Sequence, residues 1–349
     1  MSIERRTGRL IVGALLGAGV AAAVSSWGRT KRAYSFRDKV VLITGGSRGL
    51  GLILARNFAA EGAKIAICAR DWNELGRARE ELESLGAEVV DCVCDVSDRE
   101  DVARLVKDVR ARFGRIDVLI NNAGVIQVGP LATQTRRDFE QAMAVHFWGP
   151  FNTMEAVLPE MRDRGAGRIV NIASIGGKVA VPHLAPYCAS KFALAGLSDA
   201  IRAEVRKDNV RVTTVYPGLM RIGSHVNATF KGQNKKEFAL FSLGDATPLT
   251  SINADRAARQ IVEAARRGDA ELVISAQAKL AVKMNALFPE LTADAVALVN
   301  QLLPGYGGVG TGKATGLQST SAVAPSFITS AIDRAAVENN ELKPGERIV

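Results

Sequence analysis

Tyr187 and Lys191 stand four residues apart, with Ser174 a short way upstream. On a helix that spacing puts both side chains on one face, one turn apart. A phenol ordinarily titrates near ~10, and a neighbouring ammonium favours its ionised form, bringing the pKa toward a range useful for proton transfer. With Ser174 holding the substrate oxygen, the trio has the chemistry to move a proton to or from a carbonyl or alcohol oxygen. A lone Tyr-x-x-x-Lys is more simply a half-exposed helix face. What changes the odds is the upstream glycine-rich turn Thr44-Gly45-Gly46-Ser47-Arg48-Gly49-Leu50-Gly51. Turn and trio together point to nicotinamide-dependent carbonyl reduction or alcohol oxidation.

The elements that must position these groups alternate along the chain. The β-branched run Lys39–Thr44 leads through the turn into a helix over Leu52–Ala60. Ala63–Ala69 reads as a second strand, followed by an amphipathic helix from about Trp72 to Leu85. Strand-like runs recur at Glu88–Val93, Ile116–Ile120, Arg168–Ala173, Val210–Tyr216 and Glu271–Ile274. Repeated βα units predict an α/β fold with a doubly wound parallel sheet, its ligand lying beyond the carboxyl ends of the strands. The glycines at 45, 49 and 51 allow a tight turn and let a pyrophosphate approach a helix N-terminus, where free N–H groups and the helix dipole attract anions. After the second strand the chain reads Cys68-Ala69-Arg70-Asp71. Arg70, helped by Arg48, can pair with a 2′-phosphate through parallel hydrogen bonds, which favours NADP(H) over NAD(H). The competing reading leaves Arg70 solvated and turns Asp71 inward onto the ribose.

These residues, in this order, resemble the short-chain dehydrogenase/reductase family across roughly residues 39–275. Thr44-Gly45-x-x-x-Gly49-x-Gly51 is similar to the cofactor motif of its simple reductases, with Ser47, Arg48 and Leu50 inside it. Asp95-Val96 resembles the pair that contacts adenine, Asn121-Asn122-Ala123-Gly124 the motif ending the fourth strand, and Pro217-Gly218 the pair after the sixth. The resemblance implies a Rossmann-type domain in which Tyr187 is the general acid/base and Ser174 stabilises the developing oxyanion. It also implies that Lys191 binds the nicotinamide ribose and lowers the Tyr187 pKa. Homo-oligomerisation through helices around residues 139–162 and 187–207 is a further implication. Two positions depart from the pattern. His146 in Val145-His146-Phe147-Trp148-Gly149 replaces the usual fourth catalytic residue, an Asn, and either carries a proton relay to Lys191 or simply packs. Ile222 stands where a hydroxyl residue often contacts the carboxamide, leaving that role to backbone groups or Ser224.

Phe230, Phe238, Leu240, Phe241 and Leu243 fall in the segment corresponding to the family's variable lid, and Val179, Val181, His183 and Leu184 precede Tyr187. They point to a hydrophobic ketone, aldehyde or alcohol as substrate, or else pack the lid or a subunit interface. A non-catalytic NADP(H)-binding module and a 3-oxoacyl reductase are the alternatives.

Composition bounds the remainder. Of 349 residues 47% are hydrophobic and only 5% aromatic, as in a sheet core of Ala, Val, Ile and Leu. The net charge of +9 is spread without an aromatic-basic platform, so nucleic acid is not an expected partner. Cys68, Cys92, Cys94 and Cys188 form no C-x-x-C pair, and neither a metal site nor a disulfide framework is indicated. The uncharged stretch Leu10–Trp27, flanked by Arg5, Arg6, Arg9, Arg29, Lys31 and Arg32, would extend about 27 Å as a helix, near the ~30 Å of a bilayer core. It is expected to be an uncleaved anchor holding the catalytic domain in the cytoplasm, with a signal peptide cleaved near Ala21–Ala23 as the rival. The expected organisation is an anchor and basic flank over 1–36, the catalytic domain over 37–277, an amphipathic helical extension broken at Pro289 over 278–304, and a flexible Gly/Ser/Thr-rich tail over 305–349.

Overall fold

All five residues of strand β1 (Val40–Thr44) are buried, and their side chains divide between two cores. Val41 and Ile43 join one apolar cluster, Val40 and Leu42 the other. A strand covered on both faces belongs inside a parallel sheet with helices above and below. The computed structural model describes residues 34–346 apart from Ala322, together with Ile348. It contains such a sheet, built from β1, β2 (Lys64–Ala69), β3 (Val89–Val93), β4 (Val118–Asn121), β5 (Gly167–Ile172), β6 (Val210–Pro217) and β7 (Glu271–Ile274). Its order is β7-β6-β5-β4-β1-β2-β3, and every pairing is parallel. The strand order reverses between β1 and β4, which opens a crevice at their carboxyl ends.

Helices α1 (Gly49–Ala60), α2 (Trp72–Ser84), α3 (Arg99–Phe113), α4 (Arg136–Met143), α5 (Gly149–Asp163) and α6 (Ala185–Val205) follow in chain order. After them come α7 (Asn234–Ala246), α8 (Ala254–Arg267), α9 (Ala276–Leu287), α10 (Pro289–Asn300) and α11 (Ser330–Glu338). Leu52 and Phe58 of α1, Leu75 and Leu82 of α2 and Ile261 of α8 cover one face of the sheet. Val102 and Val109 of α3 with Met154 and Val157 of α5 cover the other. Burying each such large aliphatic side chain stabilises the fold by about 1.5–3 kcal/mol. Asp71 and Asp98 start α2 and α3 by accepting hydrogen bonds from the backbone N–H groups of Asn73 and Glu74, and of Glu100 and Asp101. The N-cap of α1 is Arg48, which makes no side-chain cap bond, so that helix presents its first N–H groups to another partner.

The expected anchor lies outside the described residues; among those described, no helix is long and apolar enough to cross a membrane. The tail differs from expectation. Instead of a flexible segment, Ala314–Thr315 pairs antiparallel with Thr229–Phe230, which in turn pairs parallel with Gln127–Val128. Helix α11 buries Ile332, Ala335 and Ala336. Those three positions make one helical face, but over nine residues the periodicity is too short to stand out in a Gly- and Ser-rich sequence. The extension does break at Pro289, the first residue of α10. Its Leu287, Leu291, Leu298 and Leu302 remain exposed.

Candidate active site

The glycine turn is closed from beneath by the fourth strand. Asn122 Nδ2 donates to the carbonyls of Thr44 (3.1 Å) and Gly45 (3.0 Å), and Thr44 Oγ1 accepts from the N–H groups of Asn122 (3.0 Å) and Ala123 (3.1 Å). Gly45 has φ +64°, and a Cβ there would lie 2.8 Å from Ala123 Cα; one on Gly51 would collide with the Gly45 carbonyl oxygen. This close approach is why the turn takes glycine, and it leaves a backbone cradle at the start of α1, where the N-cap residue makes no side-chain bond. Such a cradle fits the pyrophosphate of a dinucleotide. Of the other residues expected there, Leu50 is buried, Asp95 Oδ1 accepts from Ser97 N and Oγ, and the Val96 carbonyl accepts from Asn152. Gly124 lies beside the His146 ring, and Gly218 beside Ser275 and Ala278. Pro217 ends β6.

The expected 2′-phosphate ligands are separated. Arg70 is exposed at the end of β2. Arg48 is engaged by two carboxylates, Glu74 of α2 at 2.7 Å and Glu341 of the tail at 3.3 Å. Asp71 does not turn toward a ribose, because its carboxylate caps α2. Ile222 packs into the core, and Ser224 opens the short turn Ser224–Val226.

Ser174 follows β5, and Tyr187 and Lys191 rise from the first turns of α6. Ser174 lies beside Tyr187 and favours its ionised form, while Ser174 Oγ accepts from Gly176 N at 3.1 Å. Lys191 Nζ lies 5.7 Å from the centre of the Tyr187 ring and donates to the Ile172 carbonyl at 2.8 Å. The expected lowering of the Tyr187 pKa is not what the geometry gives. Burial pushes the phenol up to about 12; Ser174 lowers it in part, while Cys188 and Asp245 push it further up. Lys191 is itself desolvated, which lowers its pKa to about 7. Tyr187 is therefore protonated at neutral pH, the state in which a phenol gives its proton away.

His146 occupies one wide turn between α4 and α5 in which the backbone is π-helical, a local insertion common at functional sites. Its Nε2 accepts from Val125 N at 3.0 Å, and its Nδ1 lies 2.7 Å from Ser190 Oγ. Ser190 Oγ donates to the Tyr187 carbonyl at 2.8 Å, so Nδ1 must carry the imidazole proton. Burial, then Lys191, holds the His146 pKa well below the usual imidazole value. The ring is neutral, has both nitrogens engaged, and stacks edge-on against Tyr187 with centroids 5.4 Å apart.

Comparisons with known proteins show the family. The family model for short chain dehydrogenases matches residues 39–234. The chain belongs to the short-chain dehydrogenase/reductase family. A putative oxidoreductase SadH from Mycobacterium tuberculosis is 36% identical over 270 residues, covering 75% of this chain and 97% of that protein. Dehydrogenase/reductase SDR family member 7B of Danio rerio is 33% identical over 270 residues, covering 75% and 86%. Among solved structures, a short-chain dehydrogenase from Streptomyces avermitilis superposes with a TM-score of 0.65 at 29% identity, covering 75% of this chain and 98% of its own. A metagenomic short-chain oxidoreductase in complex with NADP gives 0.57 at 30%, covering 69% and 98%. The chain is thus an oxidoreductase of this family, whose members act on CH–OH and C=O groups with NAD(P).

Three features of this short-chain dehydrogenase carry little sequence signal. Asp245, on the lid helix α7, is buried close enough to Tyr187 to raise the phenol pKa, and burial pushes its own pKa up to about 8. His183, just before α6, has a left-handed backbone (φ +64°) and bonds Glu237 of α7 through Nδ1 at 2.7 Å, tying lid to catalytic helix. Beneath the site a buried polar ladder links Thr153, Asn121, Asn171, Ser198 and Thr214 across β4, β5 and β6. Each is a common polar residue in an apolar run until the fold brings it to a partner.

Proposed function

We propose that this short-chain dehydrogenase uses NADP(H) to interconvert a hydrophobic ketone or aldehyde and its alcohol. The observation that carries the reading is the half-buried Tyr187 with Ser174 beside it and Lys191 Nζ 5.7 Å from the centre of its ring, at the carboxyl end of the sheet. When bound, the dinucleotide supplies or accepts the hydride. In reduction the Tyr187 hydroxyl gives its proton to the carbonyl oxygen, and in oxidation the phenolate takes one from the alcohol. Ser174 holds that oxygen and stabilises its negative charge as it develops. The Lys191 ammonium favours phenolate once Tyr187 has given up its proton, and it is placed to hold the nicotinamide ribose.

Apolar surroundings support an apolar substrate. Phe230, Phe238 and Phe241 of the lid cluster with Val128 and Leu184. NADP(H) is favoured because the end of β2 offers the exposed Arg70 while the Asp71 carboxylate is committed to its helix. Trp148 of the π-helical turn and Phe192 of α6 are half exposed, which supports association of two copies through α5 and α6. The test is NADPH and NADH consumption with a panel of apolar ketones and aldehydes. Turnover with higher kcat/KM for NADPH, lost by at least ~100-fold in Tyr187→Phe, is expected from removal of a general acid. An unchanged rate in that variant overturns the catalytic assignment, and equal efficiency with NADH overturns the cofactor choice.

A further inference from the structure

The start of α1, where a dinucleotide's phosphates are expected, already has a partner from this chain. After α11 the backbone folds back over the glycine turn. The Asn339 carbonyl accepts from Gly49 N, the first N–H of the helix, at 2.9 Å. Asn340 Nδ2 donates to the carbonyls of Ser47 (2.8 Å) and Glu74 (3.0 Å), and its Oδ1 accepts from Arg77 Nε at 2.6 Å. The Glu341 carboxylate then reaches the turn. A Cβ on Gly49 would lie 2.5 Å from Glu341 Oε1, while Oε2 lies 3.3 Å from Arg48 Nε and accepts from Asn227 Nδ2 at 2.7 Å. Glu341 is only 6% exposed. A carboxylate is thus seated at a helix N-terminus beside an arginine, the chemistry that a phosphate would otherwise use there.

The seat is specific to this segment. Asn339 is held from both sides, its Oδ1 accepting from Arg56 Nη1 at 2.9 Å and its Nδ2 donating to the Ile222 carbonyl at 3.3 Å. Helix α11 is pressed onto the strand-to-lid connection, where a side chain on Gly223 would collide with Ala336. Asp333 of α11 lies 3.1 Å from His225 Nε2. The strap therefore bridges the two segments that border the cofactor crevice, the glycine turn and the chain after β6.

We infer that Asn339–Glu341 is an internal stand-in for the cofactor's phosphates, and that Glu341, held over the turn by Arg48 and Asn227 while the Asn339 carbonyl occupies Gly49 N–H, sets cofactor affinity until the dinucleotide displaces the strap. An anionic pyrophosphate and the Glu341 carboxylate repel one another at the same helix terminus. The apparent dissociation constant is then the intrinsic one divided by the fraction of molecules with the strap undocked. The inference rests on the dinucleotide binding that family membership gives, and it is independent of substrate and of Tyr187.

It is tested by binding and not by turnover. NADPH and NADH are titrated, by nucleotide fluorescence, into the full chain, Glu341→Gln, and a chain ending at Glu338. Both variants are expected to bind both nucleotides roughly tenfold or more tightly than the full chain. On the full chain, hydrogen exchange of residues 335–346 is read with and without saturating NADPH, which needs no variant to fold. Faster exchange there on binding is expected. Unchanged or weaker affinity in Glu341→Gln, or protection of the strap by NADPH, overturns the inference and makes the strap a fixed wall of the site. Failure of the carbonyl reductase reading would leave these outcomes unaffected.

Discussion

Burial keeps the Tyr187 phenol protonated and makes it a weaker acid than a free phenol, and its backbone is held in place by a neighbouring imidazole. His146 fixes the backbone at Val125 with one nitrogen and, through Ser190, the backbone of Tyr187 with the other. With the ring neutral and both nitrogens engaged, we assign His146 to positioning and not to proton transfer. His146→Ala leaves the half-buried Val125 N–H without its acceptor and the buried Ser190 hydroxyl with the Tyr187 carbonyl but not the imidazole, which costs about 1–3 kcal/mol. The expected outcome is a lower unfolding midpoint and a kcat reduced on the order of ten- to a hundredfold through misplacement of Tyr187, with KM for the carbonyl little changed. A kcat that moves only as far as the folded fraction does would reduce His146 to packing. Ser174, Tyr187 and Lys191 were legible in the sequence because their spacing sits on one helix and one strand end. The direction of the Tyr187 pKa shift was not, since spacing reports the lysine but not the desolvation of both groups. Asp245 gave no signal at all, because a single carboxylate in a lid segment is buried only by tertiary packing.

At the scale of elements, strand, turn and helix are mutually dependent. Gly51, in the first turn of α1, faces the Gly45 carbonyl so closely that the helix can approach β1 only without a side chain there. Gly51→Ala is expected to cost about 1–3 kcal/mol as overpacking, lowering Tm by several degrees, and to abolish NADPH binding by opening the cradle. A variant that melts and binds as the parent does would show that the turn tolerates a Cβ. The βα alternation was readable because each strand is a short apolar run between turn residues; the expected strand limits fall within a residue or two of those observed, while the first helix begins three residues earlier, inside the glycine turn. The ordered tail was not readable. Its anchoring comes from Asn339, Asn340 and Glu341 meeting backbone carbonyls and arginines of α1 and α2 from the far end of the chain, and no local pattern encodes such contacts.

For the molecule as a whole, the doubly wound sheet gathers the chemistry at one edge. The cradle after β1, Ser174 after β5 and the lid after β6 all stand at the carboxyl ends of their strands, while the C-terminal strap returns to that same edge. The reaction proposed for this edge is hydride transfer between NADP(H) and an apolar carbonyl with Tyr187 as the proton donor. The most direct measurement uses NADPH deuterated at the transferable position of the nicotinamide, incubated with apolar ketones and aldehydes, with the product mass as the readout. The account predicts an alcohol carrying one added deuterium from the parent chain and none above background from Tyr187→Phe. Tight binding of NADPH without deuterium transfer to any carbonyl in the panel, or transfer undiminished in Tyr187→Phe, would contradict it.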